Sequence, residues 1–321
     1  MKFLWITVGL LSVLSAASQV KPTGGNAARS AKKTTSAKKA PGLENTLLWE
    51  ISGNGLEKPS YLFGTMHLLC ADDAKLSVNL KKAIREADRI YFEIDMDDMS
   101  QMIGALKFAR MNDNTKLSDL LTKEEYARVK EYFEKNKSIL PFSMMERLKP
   151  YMLTSLIGET GMECEKTNGM EMIIMQEANK YDKEIKGLET AEYQASLFDS
   201  IPYEKQAKEL LNYIDSLDFH KNSTSELVKV YREQDLKKME ALTVKSEGGI
   251  GEYLDLLVYN RNRRWLEELK TILSEKPTLV AVGAGHLPGE SGMINLLRKA
   301  GYTVKPLKNT PPATKIPSQS T

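Results

Sequence analysis

The stretch Leu279-Val280-Ala281-Val282, followed by Gly283-Ala284-Gly285-His286-Leu287-Pro288-Gly289, constrains the fold of this chain most. Apolar, partly β-branched residues bounded by turn signals predict a buried strand. The glycines at its end are expected to let the backbone turn sharply. A histidine is then presented at a strand end, where open α/β sheets place their sites. The pattern has an echo in Tyr61-Leu62-Phe63-Gly64-Thr65-Met66-His67, again an apolar strand, a glycine and, three residues on, a histidine. The chain holds three histidines, and two of them share this setting. Either one alone reads as a hydrogen-bonded loop residue; the pair predicts one shared site.

The remaining elements fall into place around these two strands. Leu47–Ser52 alternates like a strand, Gly53-Asn54-Gly55 signals a turn, and Ser60–Thr65 returns, which predicts a hairpin. Leu76–Ala87 has helical spacing. Arg89–Asp95 reads as a strand with Ile90, Phe92 and Ile94 on one side and Glu93 and Asp95 on the other. That carboxylate pair is either a solvated strand end or part of the site. Residues 99–180 read as helices, one of them opened by a capping box of Thr122 and Glu125. The methionines between 144 and 175 read as core filling or as a flexible apolar groove. Lys183–Leu188 is a short strand, and Glu189 stands where it gives way to a helix. Glu189 is either a site residue or a first-turn acid complementing the helix dipole. Residues 203–274 are helical, with His220 at a helix end as a structural or exposed residue. Arg261-Asn262-Arg263-Arg264 opens the last long helix; the run reads as a solvated face, with Arg261 or Asn262 as candidates to orient an anion. Met293–Ala300 is the final helix, and Tyr302–Lys305 is a strand ended by Pro306. Strands at both ends with a helical insertion between Glu93 and Ile185 predict a mixed α/β fold. Its central mixed sheet is formed by N- and C-terminal strands and flanked by helices.

Composition sets the boundaries. Residues 1–18 read as a signal peptide, with Lys2, an apolar segment from Phe3 to Leu14 and small residues at Ser15-Ala16-Ala17. That segment is short for a membrane span, so no stable span is expected after cleavage. Residues 19–44 read as a disordered basic linker, 45–307 as one folded domain and 308–321 as a disordered tail. Seven positive charges and no acid fall in residues 1–42, so the net charge of +2 becomes −5 for the remainder. The folded part is mildly acidic and gives no support for nucleic-acid binding. Export places the protein in the periplasm or outside the cell. There an even count of cysteines, Cys70 and Cys164, points to a disulfide that would pin the His67 loop; a thiol ligand is the weaker reading.

His67, His286 and Glu93 make a three-ligand set. Two neutral imidazoles and a carboxylate suit a divalent transition metal (manganese, cobalt or zinc) with a position left open for water. Glu189 or Asp95 remains as a candidate base. No Gly-x-Ser-x-Gly elbow and no His-Glu-x-x-His helix is present. These motifs resemble the TraB/GumN family: Gly64-Thr65-Met66-His67, Glu93, Gly187-Leu188-Glu189-Thr190, Gly283–Gly289 and the closing Leu296–Val304. The resemblance spans about residues 45–307. It implies kinship to the Tiki metallopeptidases and the pheromone-shutdown protein PrgY, and a more distant relation to erythromycin esterases and ChaN-like haem-binding proteins. In the Tiki relatives two Gly-x-x-His motifs and a glutamate serve manganese- or cobalt-dependent cleavage of peptide N-termini, and those roles map onto His67, His286 and Glu93. Family members often carry Gly-hydrophobic-Asp where this chain has Gly169-Met170-Glu171, which puts the role of Glu171 in question. The expectation is an exported metal-dependent hydrolase with a peptide or small-molecule substrate. The rival expectations are a non-catalytic protein that sequesters a peptide or ligand, and a haem or metal carrier.

Overall fold

A computed structural model describes residues 45–136, 140–160, 162, 164–244 and 250–312. The expected signal peptide and linker, and residues 313–321 of the expected tail, lie outside the described residues. The strands are β1 (Leu48–Ser52), β2 (Ser60–Thr65), β3 (Leu69–Cys70), β4 (Arg89–Ile94), β5 (Thr167–Asn168), β6 (Glu184–Glu189), β7 (Thr278–Gly283) and β8 (Thr303–Leu307). Six of them form a mixed sheet in the order β6-β4-β7-β2-β1-β8, and β3 pairs with β5 in a separate ribbon. β6, β4, β7 and β2 run parallel, while β1 is antiparallel to both β2 and β8.

β7 lies between β4 and β2, and its Leu279–Val282 run is buried, because a parallel strand covered on both faces needs apolar side chains on both. The hairpin of β1 and β2 forms as expected, with Gly53, Asn54 and Gly55 all at positive φ in its turn. Pro306 does not end the last strand. It lies within β8 opposite Trp49, which is tolerated because β8 is a sheet edge and no ladder donor is needed there. Register sets Thr65 beside Gly283 and Ile94 beside Glu189, so four strands deliver their carboxyl ends to one rim.

The segment between β4 and β6 is helical. Helix Lys123–Lys135 starts with the reciprocal cap: Glu125 N donates to Thr122 Oγ1 at 3.3 Å, and Thr122 N to Glu125 Oε2 at 2.9 Å. Its Val129 and Phe133 join Phe142, Met145, Leu153 and Leu210 in a second core apart from the sheet. Met145, Met152 and Met170 are buried core filling, whereas Met144 is exposed. His220 lies within helix Leu217–Glu233 and stacks on Tyr213, ring centroids 4.0 Å apart. Lys308 and Asn309, placed in the tail by sequence, are held. Asn79 Nδ2 donates to the Lys308 carbonyl at 2.7 Å, and Asn309 is buried against Gln234.

Cys70 and Cys164 are joined by a disulfide with Cα atoms 5.8 Å apart. It closes the β3–β5 ribbon and ties the segment after His67 to the segment before Glu171. Among the described residues no helix is long and apolar enough to cross a membrane.

Candidate metal site

The site is built at the carboxyl rim of the parallel strands. His67 follows β2, Glu93 lies in β4, Glu189 ends β6 and His286 follows β7. Neither Gly64 nor Gly283 has a positive φ, and both serve close packing. A Cβ on Gly283 would lie 3.1 Å from Glu93 Oε1, and one on Gly64 would lie 3.0 Å from both Ala284 Cβ and Leu287 Cδ2. The expected turn forms, as a 3-10 turn at Ala284–His286 directly after β7, and the two glycines in addition yield space to neighbours at the site.

His286 is buried, and its Nδ1 lies 2.6 Å from Asn262 Oδ1. Asn262 Nδ2 donates to the carbonyls of His286 (3.1 Å) and Ser291 (2.9 Å), so Oδ1 is the acceptor and Nδ1 carries the proton. Nε2 then holds the lone pair. Burial, with the Arg261 guanidinium alongside, pushes the imidazole down to about 3, so the ring is neutral at ordinary pH. Nε2 faces Glu93 Oε1 at 3.7 Å. Glu93 Oε1 accepts from the Gly283 amide at 2.8 Å, and Oε2 accepts from Gln194 Nε2 at 3.0 Å and from Arg261 Nη2. Burial raises this carboxyl, but Arg261 and the Gly283 amide outweigh it and hold the group at about 2. Glu93 is therefore ionised.

Glu189 organises the rear of the site. Its Oε1 accepts from Arg261 Nε (2.9 Å), Arg261 Nη2 (2.6 Å) and Gln194 Nε2 (3.2 Å). Its Oε2 accepts from Arg264 Nη2 (2.6 Å) and Trp265 Nε1 (3.1 Å). Helix Asn260–Glu275 supplies most of these donors. The polar run that reads as a solvated face is largely an inward one: Arg261 and Asn262 are buried, Arg264 lies over the Tyr193 ring at 3.8 Å, and only Arg263 is turned toward solvent. Charge pairing with Glu93 and Glu189 is what permits that burial. Asp95 takes another role, its Oδ1 accepting from the amides of Asp97 (3.1 Å) and Asp98 (3.2 Å) in the turn after β4.

His67 meets a different carboxylate. Its Nδ1 lies 3.9 Å from Glu171 Oε1. Helix Met170–Asn179 brings Glu171 there, with Met170 N donating to the Met66 carbonyl at 3.0 Å. Burial raises the Glu171 carboxyl, opposed by His67 and reinforced by the charge of Glu93. Among the described residues Glu171 Oε2 is buried without a well-formed hydrogen bond, with the Thr65 hydroxyl nearby.

Glu93, His286, Glu189, Arg261 and Asn262 thus form one network, and His67 with Glu171 forms a second pair within electrostatic reach of Glu93. Gln194, Arg264 and Trp265 are members that the sequence reading missed. Trp265 stands four residues after Arg261, and that helical spacing was the one signal available. The donors suit a divalent transition cation in kind, and Glu93 and His286 are the pair that would hold one. Among the described residues no three His, Cys, Asp or Glu side chains gather closely enough to hold one ion. A cavity of about 290 Å³ is lined by Leu47, Phe63, Met170, Tyr231 and Arg232 among others, and none of Glu93, Glu189 or His286 lines it.

The model of the TraB/PrgY/gumN family matches residues 47–306. This chain belongs to the TraB/PrgY/gumN family. The match runs from the start of β1 into β8 and includes every residue of the network. Similar curated relatives within reach of this TraB/PrgY/gumN chain are Metalloprotease TIKI1 of Danio rerio, 23% identical, and Metalloprotease TIKI homolog of Amphimedon queenslandica, 26% identical. The alignments cover 81% and 83% of this chain and 63% and 62% of those relatives. Metalloprotease TIKI1 of Homo sapiens is 24% identical over 88% of this chain and 66% of its own length. The chain therefore spans less than two thirds of the length of these relatives. No solved structure matches it.

Proposed function

We propose that this chain is an exported metal-dependent hydrolase, a peptidase acting at the N-termini of peptides or proteins. Glu93 and His286 would hold the cation; His67, which does not gather with them closely enough to share an ion in this structure, would have to join from the neighbouring strand end. The observation that carries this reading is an ionised carboxylate facing an unprotonated Nε2 at 3.7 Å, with the other ring nitrogen tied to Asn262. Such an outer partner fixes the tautomer that leaves a nitrogen lone pair for a metal. Similarity to proteins named metalloproteases supports the reaction class. The disulfide and the apolar leader in the sequence support export.

When bound, a manganese, cobalt or zinc ion supplies Lewis acidity to a scissile carbonyl and to water. The side chains have separable tasks. Glu93 stays ionised across the neutral range, and Asn262 keeps the His286 ring in one orientation. Glu189 anchors Arg261, Arg264 and Trp265; with both oxygens engaged, it is a positioning residue and not a proton carrier. Glu171 is the proton carrier: burial raises its carboxyl, one oxygen has no well-formed hydrogen bond among the described residues, and His67 is 3.9 Å away.

The test is a peptide library incubated with the purified protein and each of the three ions, with new N-termini read by mass spectrometry. Cleavage is expected with at least one ion, and it is lost with chelator, in His286→Ala and in Glu93→Gln. Glu171→Gln is expected to keep the metal while slowing turnover. A folded wild type that cleaves nothing with any of the ions would overturn the proposal.

A further inference from the structure

We infer that Arg261 is a built-in competitor for the cation, so that a metal enters the Glu93–His286 pair only as the guanidinium withdraws from it. The inference rests on the metal reading given above.

A guanidinium has five N–H groups, and all five of Arg261 are engaged. Nη2 donates to Glu93 Oε2, and Nη1 points at His286 Nε2 from 3.2 Å. These two contacts fall on the same carboxylate and the same ring nitrogen that would ligate an ion. The other three go elsewhere: Nε and Nη2 to Glu189 Oε1 at 2.9 and 2.6 Å, and Nη1 to the Leu257 carbonyl at 2.8 Å. The side chain therefore has a clasp and an anchor. Nη1 and Nη2 serve both, so a guanidinium leaving the clasp would pivot on the one anchor contact that the clasp does not share, Nε to Glu189 Oε1 at 2.9 Å, and stay paired with that carboxylate.

The anchor is itself held firmly. Arg264 and Trp265 fix Glu189 from the same helix, and Leu257 belongs to a wide π-type turn at Asp255–Tyr259 just before it. Such turns recur at functional sites because they displace backbone from the regular helical path. Here the turn precedes Arg261, which takes the Leu257 carbonyl as acceptor for its own side chain. The indole of Trp265 packs against both the guanidinium, 4.6 Å from the ring centroid, and the His286 ring, centroids 4.6 Å apart. A dication bound by Oε1 and Nε2 would lie against a positive charge in a site shielded from water, where like charges repel far more than in solvent. The guanidinium thus weakens the metal while it clasps the pair, and it keeps the buried carboxylates compensated before metal arrives.

The test is titration of the full chain with cobalt(II), followed by calorimetry and by the thermal midpoint with and without the ion. Arg261→Gln is expected to bind cobalt at least tenfold more tightly than wild type. Its midpoint without metal should be lower than that of wild type, and it should rise further on metal addition. Arg261→Lys keeps one charge but cannot hold clasp and anchor together, so it should bind with intermediate affinity; it also serves should the Gln variant fail to fold. Tighter binding in Arg261→Gln than in a wild type that itself binds the ion supports the inference. Equal or weaker binding in both variants than in wild type overturns it and leaves the metal reading standing. No cobalt binding by any of the three proteins overturns the metal reading and the inference together.

Discussion

Glu189→Gln distinguishes an anchor from a catalytic base. In the structure Glu189 and Arg261 have side chains 0% and 1% exposed, and a second guanidinium, that of Arg264, bonds the same carboxylate. The amide removes the charge but keeps the shape, so Arg261 and Arg264 share a cluster with Glu93 as the remaining buried carboxylate. Breaking one partner out of a buried ion pair costs about 3–5 kcal/mol, because the other charge stays desolvated. Urea unfolding with chelator present should therefore show a loss near 4 kcal/mol at an unchanged slope. The thermal midpoint should fall by roughly 10 °C. The exposed pair Arg128–Asp215 is the control: both side chains are more than a third exposed, and Asp215→Asn should cost no more than about 1 kcal/mol. A first-turn acid at Glu189 would also be worth only about 0.3–1 kcal/mol. A Glu189→Gln protein as stable as wild type, but inactive, would refute the anchoring role and restore Glu189 as the base.

Other substitutions probe the frame. Gly64→Ala should cost about 1–3 kcal/mol through the contacts with Ala284 and Leu287. Gly285→Ala, whose Cβ meets nothing within 4 Å, should stay within about 0.5 kcal/mol; equal effects in urea unfolding would contradict the packing role of Gly64. Replacing Cys70 and Cys164 by Ser opens a link between residues 94 apart and should lower stability by about 4 kcal/mol, with a loss below about 1 kcal/mol counting against it. His220 is held by burial at about 4, below its ordinary 6.5, so the unfolded chain takes up the proton first as pH falls. Its contribution is intact above pH 6.5 and is lost toward pH 4, by on the order of 3 kcal/mol. His220→Phe keeps a ring against Tyr213 and should flatten that part of the stability–pH curve; superimposable slopes would contradict it.

What was legible in the sequence was local. An apolar run with β-branched residues marked β7, the apolar and aromatic run Tyr61–Phe63 marked β2, and alternation marked β4, because a strand's burial pattern repeats every second residue. The glycines then placed His67 and His286 at adjacent strand ends. What was not legible depended on distant partners. The run Arg261–Arg264 has the composition of a surface, and nothing local says that Glu93 and Glu189 will neutralise it in the interior. Glu171 meets His67 through the register of the β3–β5 ribbon, which no periodicity in the chain encodes. Pro306 looked like a terminator because its tolerance depends on β8 lying at a sheet edge.

Metal analysis of the purified mature protein by equilibrium dialysis, followed by mass spectrometry, tests the central claim most directly. One manganese, cobalt or zinc ion per chain is expected, with affinity at least tenfold weaker in His286→Ala, Glu93→Gln and His67→Ala. A folded wild type that retains no ion, or a His286→Ala protein that binds as wild type does, would contradict it.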